Sequence, residues 1–529
     1  MKPYNTLFIA FTLFQITFNL VSYPMGASND NTWDPSWSFY KEIKLNVDTS
    51  DPGFHYQPVD IHVTFSNTCW ALDEKNHSIR VMVYHDNRWD ELESQIYNLS
   101  FIDDSHIKEC NLVFLIPSYA DGNERYYLYY DDEEKPSPSY QDHVSIKEET
   151  FYYEPITGYK ADLRYYKIID DGYCLYGVGL GGELIGLETV HKIIKQKNDA
   201  TVFSPRNWVQ MASFAFFYAV EGTTGVGTDE VLVSKDILVD GNLMVRFKIS
   251  SKSSNGKLET DAAYTYYHCP TSEKRIIVDV SHRVVETAFS TGSAAQGGSF
   301  GYLASSKTRS VNIRELNSGF IPPYVHFFSE EQTIREYSLP QNPHSSDYEW
   351  VLSPKDDTDL GSRPWVSLDE GSEGYAYALI LSSSTGLYSM GRDGVQIEAG
   401  SEEFINVPGF EMDGSGVSIG RNSVEPGEEE ELTLPAGLEI RFSAEFFTTE
   451  EGGYPRVDKE TMVFQILEKQ NVRGEGESRA VEEVEGEYAL TVIPSLQGVS
   501  RPLLAAASAL PIPTVEVQLH KEGSLVAAG

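Results

Sequence analysis

At 529 residues the chain is long enough for two to four domains with cores of their own, and a composition 41% hydrophobic and 12% aromatic excludes a largely disordered chain. Its 41 Lys and Arg stand against 79 Asp and Glu, a formal net charge of -38, which excludes nucleic acid and anionic lipid as partners and disfavours polyanionic polysaccharide away from a local cationic patch. With 32 Tyr and 26 Phe beside only 8 Met, the aromatic load points to strands, where rings pack well on pleated surfaces.

In chain order, residues 1–27 read as an export signal: Lys2 precedes an apolar run from Leu7 to Val21, followed by the small residues of "MGAS". The run is shorter than the roughly 20 residues a spanning helix needs. Cleavage is therefore the expectation, and an uncleaved signal anchor is the one route to a membrane. A secreted or cell-surface location follows, in a compartment that permits disulfides. Cys69 and Cys110 fall in one prospective domain, Cys174 and Cys269 in the next, so pairing within domains comes first among the three connectivities that four cysteines allow. No CxxC spacing speaks for structural zinc, and no metal site is expected. The sequons at Asn76 and Asn98 are candidate glycosylation sites.

Residues 31–132 alternate in short runs, "YKEIKLNV", "VDIHVTF", "SIRVMVYH", "NLVFLIP" and "RYYLYY", each bounded by Asp, Asn, Gly or Pro. They predict a small β-sandwich or barrel, with the turn in "YADGNERYYLYY" joining its last two strands as a hairpin. The acid and proline of "DDEEKPSPSY" cannot continue a sheet and mark a linker over 133–150. The phrases "IRVMVYHDNRWDELESQIYNL" and "NLVFLIPSYADGNERYYLYYDDEE" resemble the small extracellular β domains that carry the DUF2341 label. They are also similar to the barrel-like N-terminal modules of some bacterial polysaccharide-active proteins. That resemblance implies a surface accessory module without catalytic residues. Asp131 stands where those domains often have glycine.

The next span, 151–470, carries longer strands. "DILVDGNLMVRFKISS" sets Leu243, Val245, Phe247 and Ile249 on one face; "KLETDAAYTYYHCP" opposes Leu258, Ala262, Tyr264 and Tyr266 to Glu259, Asp261, Thr265 and Tyr267; "KRIIVDVSHRVVETA" turns Ile276, Val278, Val280 and Val284 inward and Arg275, Asp279 and Arg283 outward. Three such strands in succession predict an antiparallel meander. "GLETVHKIIKQK" is a prospective helix, while "EGTTGVGTDE" and "GVGLGGELIG" read as turns and lack the settings of phosphate-binding loops. Residues 471–529 change to Gly and Glu and read as an acidic linker with a partial β segment. The fold class expected is all-β: a small N-terminal sandwich or barrel, then a large antiparallel supersandwich, with few short helices.

The phrases "DGNLMVRFKI", "AAYTYYHCPTSEKRIIVDV" and "PWVSLDEGSEGYAYALILSSSTGL" resemble the supersandwich of galactose-mutarotase-like proteins, shared with the C-terminal halves of many polysaccharide lyases. The resemblance implies carbohydrate binding or processing on the polar face of the large sheet, lined by Arg246, Lys248, Asp261, Tyr267, Asp279 and Arg283. Of these, Arg246, Tyr267 and Arg283 are the glycan-binding candidates, the alternative being a solvated face with cross-strand charge pairs. Tyr267, His282, Arg283, Tyr324 and His326 are the candidate acid–base and charge-neutralising groups. Alternation places His282 with the apolar residues of its strand, where a core role competes. No cofactor is required; calcium is the one ion that the acid clusters "DDTDLGSRPW" and "NVDTSDPGF" admit. Two functions stay open: a carbohydrate-binding or carbohydrate-processing surface protein, or a structural envelope protein with cell-envelope components as neighbours.

Overall fold

The structure, a computed structural model, describes residues 33–470 except residue 46 and several segments, the longest being 196–208, 217–229, 292–300, 383–395 and 421–430, together with four short strands after residue 482. The expected signal (1–27), the acidic residues at 356–359, the glycine run at 221–229 and most of the tail lie outside these residues. The described chain is all-β but for one 18-residue helix, Gly453–Gln470, and a 3₁₀ turn at Pro52–Phe54. Among the described residues no helix is long and apolar enough to cross a membrane.

The N-terminal unit is an open sandwich. A four-stranded sheet runs in the order Phe39–Ile43, Arg125–Tyr130, Ile79–His85, Arg88–Leu92, and a three-stranded sheet in the order Pro58–Trp70, His106–Leu115, Ser94–Asp103. Inward residues of both, among them Ile61, Val63, Val81, Val83, Leu112, Phe114, Tyr126, Leu128 and Tyr130, form one buried cluster. The expected hairpin is corrected here: His106–Leu115 and Arg125–Tyr130 belong to different sheets, so the segment between them crosses from one layer to the other. Each of the two runs is amphipathic towards the same core, which satisfies the pattern without pairing them.

The large unit packs a nine-stranded antiparallel sheet on an eleven-stranded one. The meander is as read: Met244–Ser253, Leu258–Tyr267 and Lys274–Val284 pair in sequence, with Phe247 opposite Tyr264 and Tyr264 opposite Val278. Val245, Phe247, Ile249, Tyr264, Ile276 and Val278 meet Ile168, Tyr176, Val178, Ile193, Val417 and Ile419 between the sheets. "GLETVHKIIKQK" forms short strands, Leu187–Glu188 and Lys192–Lys195. The glycines read as a turn at 177–182 lie inside the strand Tyr173–Leu184, where Gly179 lets the Thr189 backbone approach: a Cβ there meets Thr189 O at 1.7 Å.

Part of the outer face of the nine-stranded sheet is covered, while Lys248, Asp261 and Arg283 stay exposed on the rest of it. The helix lies over Trp365, Ala376, Ala378, Ile380 and Phe447 with Val457 and Phe464. Beside it, the three-stranded sheet docks Tyr97 and Val113 against Leu243, Met244 and Tyr267.

Candidate functional site

Because side chains alternate along a strand, the tyrosine run Arg125–Tyr130 serves two surfaces. Tyr126, Leu128 and Tyr130 fill the core, which sends Tyr127 and Tyr129 to the opposite, outer face of the four-stranded sheet. Register then decides their neighbours. Tyr40 lies opposite Tyr129, and Glu42 opposite Tyr127. On the other flank Arg80 meets Tyr129, Met82 meets Tyr127 and Tyr84 meets Arg125, while Tyr84 also pairs with Trp89.

The result is a continuous band of rings. Trp33 stands edge-on to Tyr129 at 5.2 Å between centroids; Tyr40 follows at 5.5 Å from Tyr129 and 6.0 Å from Tyr127; Trp89 is 5.1 Å from Tyr127, and Tyr84 is 5.0 Å from Trp89. Tyr129 and Met82 are buried beneath, whereas Trp33, Tyr40, Tyr84, Trp89 and Tyr127 are each half-buried, so their rings are held by neighbours yet remain open to solvent. Tyr129 is pinned by accepting a hydrogen bond from Trp33 N at 3.1 Å, and Arg80 lies 5.5 Å over the Trp37 ring while its Nε reaches Glu91 at 3.1 Å.

Glu42 and Arg125 carry this face into a groove of about 310 Å³ lined also by Lys44, Asp48, Thr49 and Glu124. Burial raises the Glu124 carboxyl, but Thr49 and the backbone N–H groups of Asp121 and Gly122 outweigh it and hold its pKa below the ordinary value. The groove therefore offers fixed anionic acceptors beside a cation. Stacking platforms next to a small number of polar groups suit a ligand with an apolar ring face and a hydroxylated edge.

The predicted site residues lie elsewhere. Arg246 and Tyr267 do share the outer face of the nine-stranded sheet, but the N-terminal sandwich sits on them. Tyr267 is 1% exposed and donates to Asp60 at 2.7 Å, and Arg246 reaches Tyr97 at 3.2 Å and Asp60 at 3.4 Å. Tyr267 offers no surface to a glycan, and Arg246, half-buried, is held by Tyr97 and Asp60; their role in this geometry is docking. Arg283 is on the same face at the far end of the meander, exposed and paired with Glu259. His282 is buried between the sheets, its Nδ1 at 3.0 Å from Thr260 Oγ1. His326 is 1% exposed, bound through Nδ1 to Asp369 at 3.0 Å and through Nε2 to Glu336 at 2.9 Å, with Tyr454 of the helix stacked on it at 3.9 Å. Tyr324 lies 5.9 Å from that ring. An Asp–His–Glu array has the elements of proton transfer, with Tyr454 stacked on the buried imidazole and Glu336 exposed at its outer end.

The cysteine expectation is overturned: Cys69, Cys110 and Cys269 are buried free thiols, so neither Cys69–Cys110 nor Cys174–Cys269 is formed. Cys69 and Cys110 pair with other partners in their strands, and burial raises both thiols. Asn76 and Asn98 are exposed on the N-terminal sandwich.

No protein family and no curated protein matches this chain. Among solved structures it is similar to an α-galactosidase from Geobacillus stearothermophilus (11% identity, TM-score 0.27, 57% of this chain and 41% of that one). It is also similar to an α-mannosidase from Enterococcus faecalis (9% identity, TM-score 0.34, 91% and 54%) and to a galactose 1-epimerase from Lactobacillus acidophilus (9% identity, TM-score 0.20, 58% and 100%). The chain spans 40% of the galactosidase domain of an α-galactosidase-sucrose kinase. Those proteins are carbohydrate-active by name.

Proposed function

We propose that this is an exported carbohydrate-binding protein that holds glycan on the outer aromatic face of its N-terminal sandwich. The observation that carries the reading is the band Trp33–Tyr40–Tyr127–Trp89–Tyr84, half-open and flanked by Glu42 and Arg125. A pyranose presents an apolar C–H face to an aromatic ring and hydroxyls at its rim. The rings take the first, and the carboxylate and guanidinium groups accept from and donate to the second. The field of a chain with net charge -38 favours neutral over polyanionic glycans.

Affinity electrophoresis of the full chain in gels holding neutral polysaccharides, with polygalacturonate as the anionic comparison, tests this. Neutral polymer retards the protein. Trp89→Ala and Tyr127→Ala each weaken binding roughly ten-fold, about 1.4 kcal/mol, and leave the fold's circular dichroism intact. Migration unchanged by every polymer, or retardation that survives both substitutions, overturns the reading and leaves the structural envelope role.

A further inference from the structure

The connector from the N-terminal sandwich to the large unit is held at His143. The strand Tyr159–Asp170 turns back into Tyr173–Leu184 through Asp171 and Gly172, with φ of 47° and 82°, the Asp-Gly pair that such a two-residue turn favours. Asp171 is thus fixed at the tip of the eleven-stranded sheet. Its backbone N–H donates to His143 O at 2.8 Å, and His143 N donates to Asn242 O at 3.0 Å, so the connector's backbone is tied to both large sheets.

These anchors set the His143 imidazole between two carboxylates of different units. Nδ1 lies 2.7 Å from Asp171 of the large unit. Nε2 lies 2.8 Å from Glu93, in the bend between the strands Arg88–Leu92 and Ser94–Asp103 of the N-terminal sandwich. An ionised carboxylate only accepts, so both contacts are hydrogen bonds at once only when both ring nitrogens carry hydrogen. The arrangement is built for the imidazolium. Charged groups face it from every element around it. His268 of the nine-stranded sheet stacks on the ring, centroids 4.0 Å apart and 17° from parallel. Behind His268, Asp170 takes its Nδ1 at 2.6 Å and Lys274 Nζ at 3.4 Å. Asp142 precedes His143 in the chain, and Gln141 Nε2 donates to Asp171 at 3.3 Å.

We infer that His143 is a proton-dependent clasp, whose imidazolium bridges Glu93 and Asp171 and so ties the N-terminal sandwich to the large unit. On deprotonation the ring keeps one N–H, the proton leaves to solvent, and one carboxylate loses its donor. Glu93 and Asp171 then face each other without the cation between them. Burial lowers the His143 pKa, but Asp171 and Glu93 outweigh it and raise it above 6.5. With the folded-state value the higher, the clasp is fully closed below pH 6.5 and opens as pH rises through the raised value.

Hydrogen–deuterium exchange of the connector in the full chain, read by mass spectrometry at about pH 5.5 and about pH 8.5, brackets the titration of a histidine. Glu93→Gln is compared with the unaltered chain at the same pH, so the intrinsic pH dependence of exchange cancels. Glu93 is part-exposed, and its replacement leaves the fold intact. At the lower pH the variant's connector exchanges about three-fold faster, the scale of a partly exposed ion pair. At the higher pH the two chains exchange alike. By NMR the His143 ring titrates above the ordinary histidine value, and Glu93→Gln moves its midpoint down. A purely structural contact would give the same acceleration at both pH values. That result, no acceleration at the lower pH, or a His143 midpoint unmoved by Glu93→Gln overturns the inference.

Discussion

Glu460, on the helix and fully buried, accepts from Gln57 at 3.0 Å, Arg275 at 3.0 Å and Arg456 at 2.7 Å. Burial pushes its carboxyl up, but Arg275 and Arg456 outweigh that and bring its pKa from 4.5 down to about 2. A folded-state pKa below the unfolded one means that the ionised group stabilises the fold above pH 4.5 and that this contribution is lost as pH falls from 4.5 to about 2. Glu460→Gln therefore costs about 3 kcal/mol at neutral pH, since it takes the buried carboxylate from Arg275 and Arg456 and leaves them to Glu273 and Glu445. It also flattens the decline in stability across that acid window, as urea melts at a series of pH values will show. At this scale the sequence was informative about direction and silent about cover. Alternation placed His282 inward and Arg246 and Tyr267 outward, all as found, because the period of a strand is local. What lies on top of an outward residue is a tertiary fact, so of two residues read as open to glycan Tyr267 proved to be buried and Arg246 partly covered by another unit.

At the scale of elements, the helix Gly453–Gln470 begins where a left-handed residue meets a neighbouring loop. Gly453 has φ of 47°, and a Cβ there meets Gly371 O at 1.7 Å; Gly256, in a hairpin turn with φ of 74°, has open space around it. Gly256→Ala then costs about 1 kcal/mol, the left-handed strain alone, and Gly453→Ala about 3 kcal/mol or more because backbone must also move. Equal melting temperatures for the two variants would count against this account of how the helix is seated. The meander strands were legible because their apolar residues alternate towards the eleven-stranded sheet. This helix was not: its buried face includes Glu460 and Thr461 beside Val457 and Phe464, so polar residues satisfied by ion pairs and a backbone bond interrupt the apolar stripe. The crossing between the two N-terminal sheets escaped for a related reason, since amphipathic runs show that a strand packs on a core without showing which layer it joins.

For the whole molecule, the contact that counts is the three-stranded sheet on the nine-stranded one, where Asp60 takes hydrogen bonds from Tyr97, Tyr267 and Arg246, and Gln95 caps the Leu243 and Met244 N–H groups at 2.8 Å. Asp60→Asn weakens the joint by about 1–3 kcal/mol, with Arg246 still a quarter exposed to water. In differential scanning calorimetry a shared unfolding transition separates into two, and a single unshifted peak would argue against coupling through Asp60. Since this joint uses one sheet of the small sandwich and the aromatic band lies on the other, the two surfaces point in opposite directions. A polymer strand gripped on that band meets a handle without a swivel: it dictates not only where the large sandwich sits but which way it faces, so copies along one strand stand in a common orientation, like flags on a single line.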